Sequence, residues 1–352
     1  MGKNNKKMAT PDEVKDFESL YESAWKCRSG VGWKPSTKSF TLNGIENCLE
    51  MEEELKTGTW KHGKPKPIAI LYPKRRDGLS IPFRDRVYQR SLNDNSLYPC
   101  TTNSFIYDNA ACQKGKGTDF ARARIKKFLW RHFAKHGLKG WIVQIDIHGY
   151  YSSMPHQLIQ DEFGKNVSDD ILGMSMSVLE HQYSGDIGCN PGSQMVQIAG
   201  ISVLNPVDHY IKEKLHVKNY IRYMDDFWML LDDYGEAEHA LSETIGKIKA
   251  IGFDINPKKT QITPLSEGFL FLGFHYQLTE TGKVIMTLNS QSIRHERRKL
   301  RKMVGLVKKG KMSKAKVYEC YGSWRDFAGK GNTSRLLVRM DAYLKSLWEG
   351  DE

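Results

Sequence analysis

The stretch Asn219-Tyr220-Ile221-Arg222-Tyr223-Met224-Asp225-Asp226-Phe227-Trp228-Met229-Leu230-Leu231 sets two adjacent aspartates between two apolar runs. Both flanks are short and rich in aromatic and aliphatic residues, so they read as strands with the acids at the tip of a β-hairpin. Carboxylates in apolar surroundings are costly unless a positive charge or a metal meets them. An ordinary solvated turn would normally carry Gly, Asn or Pro, and none stands here. A third acid, Asp146, closes the apolar run Trp141-Ile142-Val143-Gln144-Ile145-Asp146-Ile147, bounded by Gly140 and Gly149. Acids from the two runs meet only if the strands are neighbours. In that case they form the oxygen-rich donor set that a hard cation such as Mg²⁺ takes.

Outward from this centre, strand and helix alternate. Pro67 to Lys74 and Leu79 to Phe83 read as the arms of a hairpin turning through Arg75, Arg76, Asp77 and Gly78. Residues 121–137 form a basic amphipathic helix stopped by Gly137. A helix opens after Ser168 as its cap, and a longer one from Ser193 is interrupted or ended near Pro206. Another helix, ending at Gly252, precedes the strand pair around Phe269 to Leu278. Near the amino terminus Pro11 and Asp12 open a helical stretch. Beyond Ser292, Ile293, Leu300, Met303, Val304 and Val307 fall at helical spacing, and two more amphipathic helices follow, a pattern that predicts a three-helix bundle. Arg294, Arg297, Arg298, Arg301 and Lys302 fall between those apolar positions and are expected to form an exposed basic strip.

The 352 residues carry a net charge of +12, and 39% of them are hydrophobic, enough for a core and too many for a disordered chain. The basic excess points to a polyanionic partner. No apolar run approaches the roughly 20 residues of a membrane span, and the polar amino terminus is no secretory signal, so a cytoplasmic protein is expected. Six scattered cysteines lack metal-site spacing and read as reduced thiols.

Between about Lys64 and Lys345 the sequence resembles the reverse transcriptases. Gln144 to His156 is similar to the family's first palm motif, Tyr223-Met224-Asp225-Asp226 to its catalytic hairpin, and Gly252 to Thr260 to the motif that follows. Phe271 to Tyr276 is similar to the turn that grips the primer. Four motifs in family order make the resemblance specific. It implies an α/β right-hand polymerase with fingers, a palm of antiparallel sheet plus helices, and a three-helix thumb. It also implies nucleotidyl transfer with two Mg²⁺ ions, for which Mn²⁺ can substitute, held by Asp146, Asp225 and Asp226. Tyr151 would lie under the sugar and exclude a 2′-hydroxyl; the alternative is a core aromatic beside Tyr150. Lys259 would stand near the leaving phosphates. Arg75, Arg76 and Lys116 would meet template backbone and triphosphate, and Leu272 and Gly273 would hold the primer. Ser193 and Gln194 would pack on the templating base and incoming nucleotide. The pair is Ser-Pro in most of the family. Ser-Gln resembles the enzymes of diversity-generating retroelements.

The expected divisions are an N-terminal helical extension over 1–60, fingers over 61–140, a palm over 141–288 with a fingers insertion near 155–185, and a thumb over 289–352. No segment is left for a ribonuclease H or endonuclease domain. The partners implied are a template RNA, a DNA or RNA primer and deoxynucleotides, with an accessory protein or a second copy as further candidates and no membrane. A stand-alone bacterial or phage enzyme is the leading expectation. An antiviral-defence enzyme working with a non-coding RNA is its rival, and a non-enzymatic RNA-binding or maturase protein is the alternative from another class.

Overall fold

The computed structural model describes residues 10–70, 76–189 and 192–349. Its strands in chain order are β1 (Lys66–Ile70), β2 (Arg76–Ser80), β3 (Trp141–Asp146), β4 (Asn219–Tyr223), β5 (Asp226–Leu231), β6 (Gln261–Pro264), β7 (Phe269–Phe271), β8 (Phe274–Leu278) and β9 (Val284–Leu288). β1 and β2 pair antiparallel, β4-β5-β3-β6 form one sheet in that order, and β7-β8-β9 form an antiparallel sheet. β5 therefore lies between β4 and β3, which makes neighbours of the two strands that carry the acids. Phe227, Trp228, Met229 and Leu230 are all buried. A strand covered on both faces reads as an unbroken apolar run rather than an alternating one.

The residues divide into two compact units. One holds the chain up to Ala121 with Gln144–Met229 and His239–Gln261; the other holds Arg122–Val143, Leu230–Glu238 and Ile262–Glu352. In the first unit the helix expected from Pro11 is two helices, Pro11–Lys15 and Phe17–Arg28. The break is at Asp16, whose extended backbone lets its carboxylate accept the Ser19 amide at 2.8 Å as a new cap. Ser168 stands at the cap position of the helix Asp169–Gln182, but its hydroxyl makes no hydrogen bond. The long helix expected from Ser193 is also divided. Gln194–Ser202 is capped by the Ser193 hydroxyl on the Val196 amide at 3.1 Å, and a separate turn, Asn205–His209, carries Pro206 near its start. Proline fits there because its missing N–H would have no helical partner in a first turn.

In the second unit the helices Ser290–Lys308, Lys314–Ala328 and Ser334–Glu349 share a core of Leu300, Met303, Val304, Val317, Tyr321, Met340 and Leu344. This bundle and the β7-β8-β9 sheet belong to one unit. The Asn332 amide donates to the Met286 carbonyl at 2.7 Å, and the Met286 amide donates to the Asn332 side chain at 2.9 Å. Arg294, Arg298, Arg301 and Lys302 are exposed. Arg297 is a correction to the expected strip: it is half-buried, with its guanidinium 5.3 Å from the centre of the Tyr343 ring. A long aliphatic stem and a planar cation pack well on an aromatic face, and helical spacing alone does not reveal the ring of another helix.

Gly331 fits where a side chain does not. A Cβ there would come within 2.7 Å of the Phe274 ring and 2.8 Å of the Met286 carbonyl oxygen. Gly331→Ala is expected to destabilise this unit by about 1–3 kcal/mol, as overpacking against backbone does. Urea denaturation followed by tryptophan fluorescence and circular dichroism checks this, and an unchanged midpoint refutes it.

Candidate active site

The hairpin tip is built under strain. Met224 sits in the left-handed region at φ 56°, although it has a side chain. Such a conformation costs about 1–2 kcal/mol and persists only when its surroundings impose it. The constraint comes from Arg222, which is fully buried and donates through Nη1 to the Met224 carbonyl at 2.8 Å and through Nη2 to the Ile201 carbonyl at 2.9 Å. Its Nε and Nη2 also clasp the two oxygens of the equally buried Asp208, at 2.7 and 2.6 Å, and the Tyr220 hydroxyl donates to the same carboxylate. Burial works against the guanidinium charge, but the Asp208 carboxylate outweighs it and holds Arg222 above its ordinary pKa. Every polar edge of this pair faces a partner, which is the condition for a buried ion pair to be tolerated. Neither Arg222 nor Asp208 stands out in the sequence. An arginine at a strand position three residues before the first of the acids is the only signal, and its partner lies on another element.

Asp146 ends β3 with both oxygens engaged. Lys259 Nζ donates to Oδ1 at 2.6 Å, and Asn256 Nδ2 donates to Oδ2 at 2.8 Å. The Asn256 amide also donates to the Asp146 carbonyl at 2.8 Å. Asn256 was missed by the sequence reading, although it lies inside the motif that contains Lys259. Asp225 and Asp226 follow Met224 at the tip. Burial, then the charges of Asp225 and Asp146, push the Asp226 carboxyl up to about 7, and a direct contact with Asp146 adds to the rise. Burial, aided by Asp146, raises Asp225 as well, while Lys259 and Arg222 oppose the shift. Lys259 is raised in turn, first by its bond to Asp146.

Among the described residues no three His, Cys, Asp or Glu side chains are gathered tightly enough to stand as a ready metal site. The donor chemistry nonetheless fits a divalent cation. Partial burial, with repulsion from Asp225 and Asp146, pushes the Asp226 carboxyl up to about 7, and the ammonium of Lys259 already occupies one Asp146 oxygen. The three aspartates and Lys259 are therefore brought together.

Tyr151 is placed beside them. Its hydroxyl lies 3.9 Å from Met224 Sδ, and its ring lies against Gly200, where a Cβ would come within 3.0 Å of the hydroxyl. Burial pushes its phenol pKa well up. Tyr150 is the core aromatic of the two, buried and donating to the Gly200 carbonyl. Gln194 opens the helix that carries Gly200, and Ser193 caps it.

The other expected residues are described by their own contacts. Lys116 is a correction: its ammonium donates to the Tyr107 and Asn109 carbonyls at 2.9 and 3.1 Å and to Gln113 Oε1 at 3.0 Å, and burial lowers its pKa. It ties its own loop together, because three acceptors lie within reach of its chain. Arg75 and the side chain of Arg76 lie outside the described residues; Arg76 opens β2, its backbone opposite Ile70. Leu272 and Gly273 form the turn between β7 and β8, both at positive φ, as a tight two-residue hairpin demands.

A carboxylate trio brought together by neighbouring strands, with a lysine bonded to one of them, stands on a right-hand polymerase fold. The family model "Reverse transcriptase (RNA-dependent DNA polymerase)" matches residues 74–276, more than half of the chain, and the chain belongs to that family. Among solved structures, telomerase from Candida albicans in complex with the TWJ fragment of telomeric RNA is similar in fold at 14% identity, with a TM-score of 0.50. The similarity covers 82% of this chain and spans 55% of the length of the telomerase chain. No curated protein matches the sequence.

The raised Asp226 has a measurable consequence. Its folded form keeps a proton up to about pH 7, whereas an unfolded aspartate releases it near 4. The metal-free protein thus loses this contribution to stability as pH rises from about 4 to about 7. Above that range the charged trio gains most from a divalent cation. Mg²⁺ is expected to raise Tm more at about pH 7.5 than at about pH 5.5. Thermal melts with and without Mg²⁺ test this, and equal shifts at the two pH values contradict it.

Proposed function

We propose that the chain is an RNA-directed DNA polymerase that extends a primer with deoxynucleotides, using two Mg²⁺ ions held by Asp146, Asp225 and Asp226. The observation that carries this reading is the meeting of Asp146 and Asp226, with Asp225 on the same hairpin tip, at a point that also receives Lys259. Bound there, the ions would activate the 3′-hydroxyl of the primer and stabilise the leaving pyrophosphate. The chain's own part is positioning. Arg222 fixes the hairpin through the Met224 carbonyl, and Asn256 orients Asp146. Lys259, more than half exposed, would exchange its bond to Asp146 for the triphosphate. Tyr151, wedged between Gly200 and Met224, presents a fixed wall where a ribose 2′-hydroxyl would have to fit.

The exposed strip of Arg294, Arg298, Arg301 and Lys302 suits the phosphates of an A-form duplex, whose deep groove offers side chains little base-edge readout. Gln194, in the place where most of the family has proline, supports assignment to the diversity-generating-retroelement type among stand-alone bacterial or phage enzymes.

Two experiments test this reading. Asp146→Asn and Asp225→Asn are each expected to reduce primer extension on an RNA template at least a thousandfold with the fold intact by circular dichroism. Extension at the wild-type rate by either variant would remove the site. Tyr151→Val is expected to admit ribonucleotides, raising their incorporation relative to deoxynucleotides by about tenfold or more. Unchanged discrimination in single-nucleotide assays would return Tyr151 to a packing role.

A further inference from the structure

The first unit carries an apolar surface that its own core does not use. The helices Phe17–Arg28, Pro35–Leu42 and Gly44–Thr57 enclose a groove of about 390 Å³ lined by Tyr21, Trp25, Phe40, Leu42 and Ile45. Trp25, Leu42, Ile45 and Leu49 are each 45% to 83% exposed, and Leu49 follows Ile45 by one turn on the same face of its helix. The opposite faces of these helices are already packed, with Leu20, Ala24, Cys48, Met51 and Leu55 buried. Single exposed apolar side chains are ordinary, but a contiguous group around a groove marks a place of interaction. The charges at its margin are sorted by sign. Arg28 lies over the Trp25 ring at 5.0 Å, Lys34 opens the helix that carries Leu42, and Lys38 stands one turn before Leu42. Glu46, Glu50 and Glu53 run along the helix that carries Ile45 and Leu49. All six are exposed, and none makes an ion pair among the described residues, whereas their neighbours Glu22, Glu52 and Glu54 are paired with Lys26, Lys56 and Arg84.

That sorting selects the occupant. A nucleic-acid strand would meet three unpaired carboxylates along one helix, and a partner of a single charge sign would leave one margin unmatched. A second copy of the chain matches both. Turned about a two-fold axis through the groove, it sets its own Arg28, Lys34 and Lys38 against Glu46, Glu50 and Glu53 of the first copy, and the same contacts recur in reverse. The apolar side chains then meet at the centre, with Trp25 as an aromatic anchor inside a polar rim. We propose that this surface is the interface of a two-fold homodimer. The paired margins offset the repulsion between two chains that each carry a net charge of +12. The inference stands apart from the polymerase reading and uses none of its residues.

The test uses the full chain, cleared of co-purified nucleic acid with nuclease, in sedimentation equilibrium. The wild type is expected to be dimeric at about 10 μM, above the micromolar limit for an interface of ordinary size. The double variant Ile45→Asp, Leu49→Asp changes only exposed positions, so its Tm should hold while its dimer dissociation constant rises about thirtyfold or more, the scale of an interface hot spot. Two further proteins test the margins. One carries Arg28→Glu, Lys34→Glu and Lys38→Glu; the other carries Glu46→Lys, Glu50→Lys and Glu53→Lys. Each has a margin of one sign and should be monomeric alone, yet the two should form a dimer when mixed in equal amounts, which also shows that both are folded. A wild type that stays monomeric at about 10 μM, as a surface meant for some other protein would give, overturns the proposal. So does a dimer that Ile45→Asp with Leu49→Asp leaves intact. Single-sign proteins that still self-associate, or that are folded by circular dichroism and do not pair when mixed, overturn it as well.

Discussion

The crowding of three carboxylates is the constraint around which the palm hairpin and its neighbours are arranged. Asp146, Asp225 and Asp226 gain nothing from one another; left to themselves, they would separate or hold protons. Two things keep them together. The backbone places them on β3 and at the head of β5, strands that are direct neighbours. A buried arginine then pins the carbonyl that precedes the pair. Lys259 and Asn256 complete the arrangement from the other side of Asp146. Under the proposed function the remaining charge would draw divalent cations, so the same repulsion that threatens the fold would supply affinity for them.

The cost is met locally. Met224 adopts a backbone conformation that a glycine would take more easily, and Arg222 and Asp208 occupy space that apolar side chains could fill. Replacing such an ion pair by well-packed apolar residues is often neutral or stabilising in proteins. Its presence beneath the hairpin is therefore better explained by orientation than by stability: four hydrogen bonds from one guanidinium fix the direction in which the two aspartates leave the strand.

Much of this was legible in the sequence, for a physical reason. Acids inside apolar runs violate the usual pattern, and such a violation is visible without knowing what lies across the sheet. The β5 run, the hairpin tip and the apolar seam of the last three helices were readable in the same way. Local patterns could not show pairings made between distant segments. Asp208 looks like a solvated helix acid until Arg222 is seen beside it. Lys116 reads as a fingers cation until its ammonium is found on the carbonyls of its own loop. Arg297 reads as one more surface charge until the Tyr343 ring closes over it.

The joint between the β7-β8-β9 sheet and the last three helices carries a mechanical consequence. One backbone bond and one to the Asn332 side chain join Met286 to Asn332, Gly331 admits no side chain between Phe274 and the strand, and Phe327 lies on Gly273 at the tip of the turn. The turn and the basic helix Ser290–Lys308 thus share one frame, and the spacing between them cannot change without breaking that joint. A double helix held at both places would be gripped at a constant angular phase, much as a gauge block fixes the jaws of a caliper.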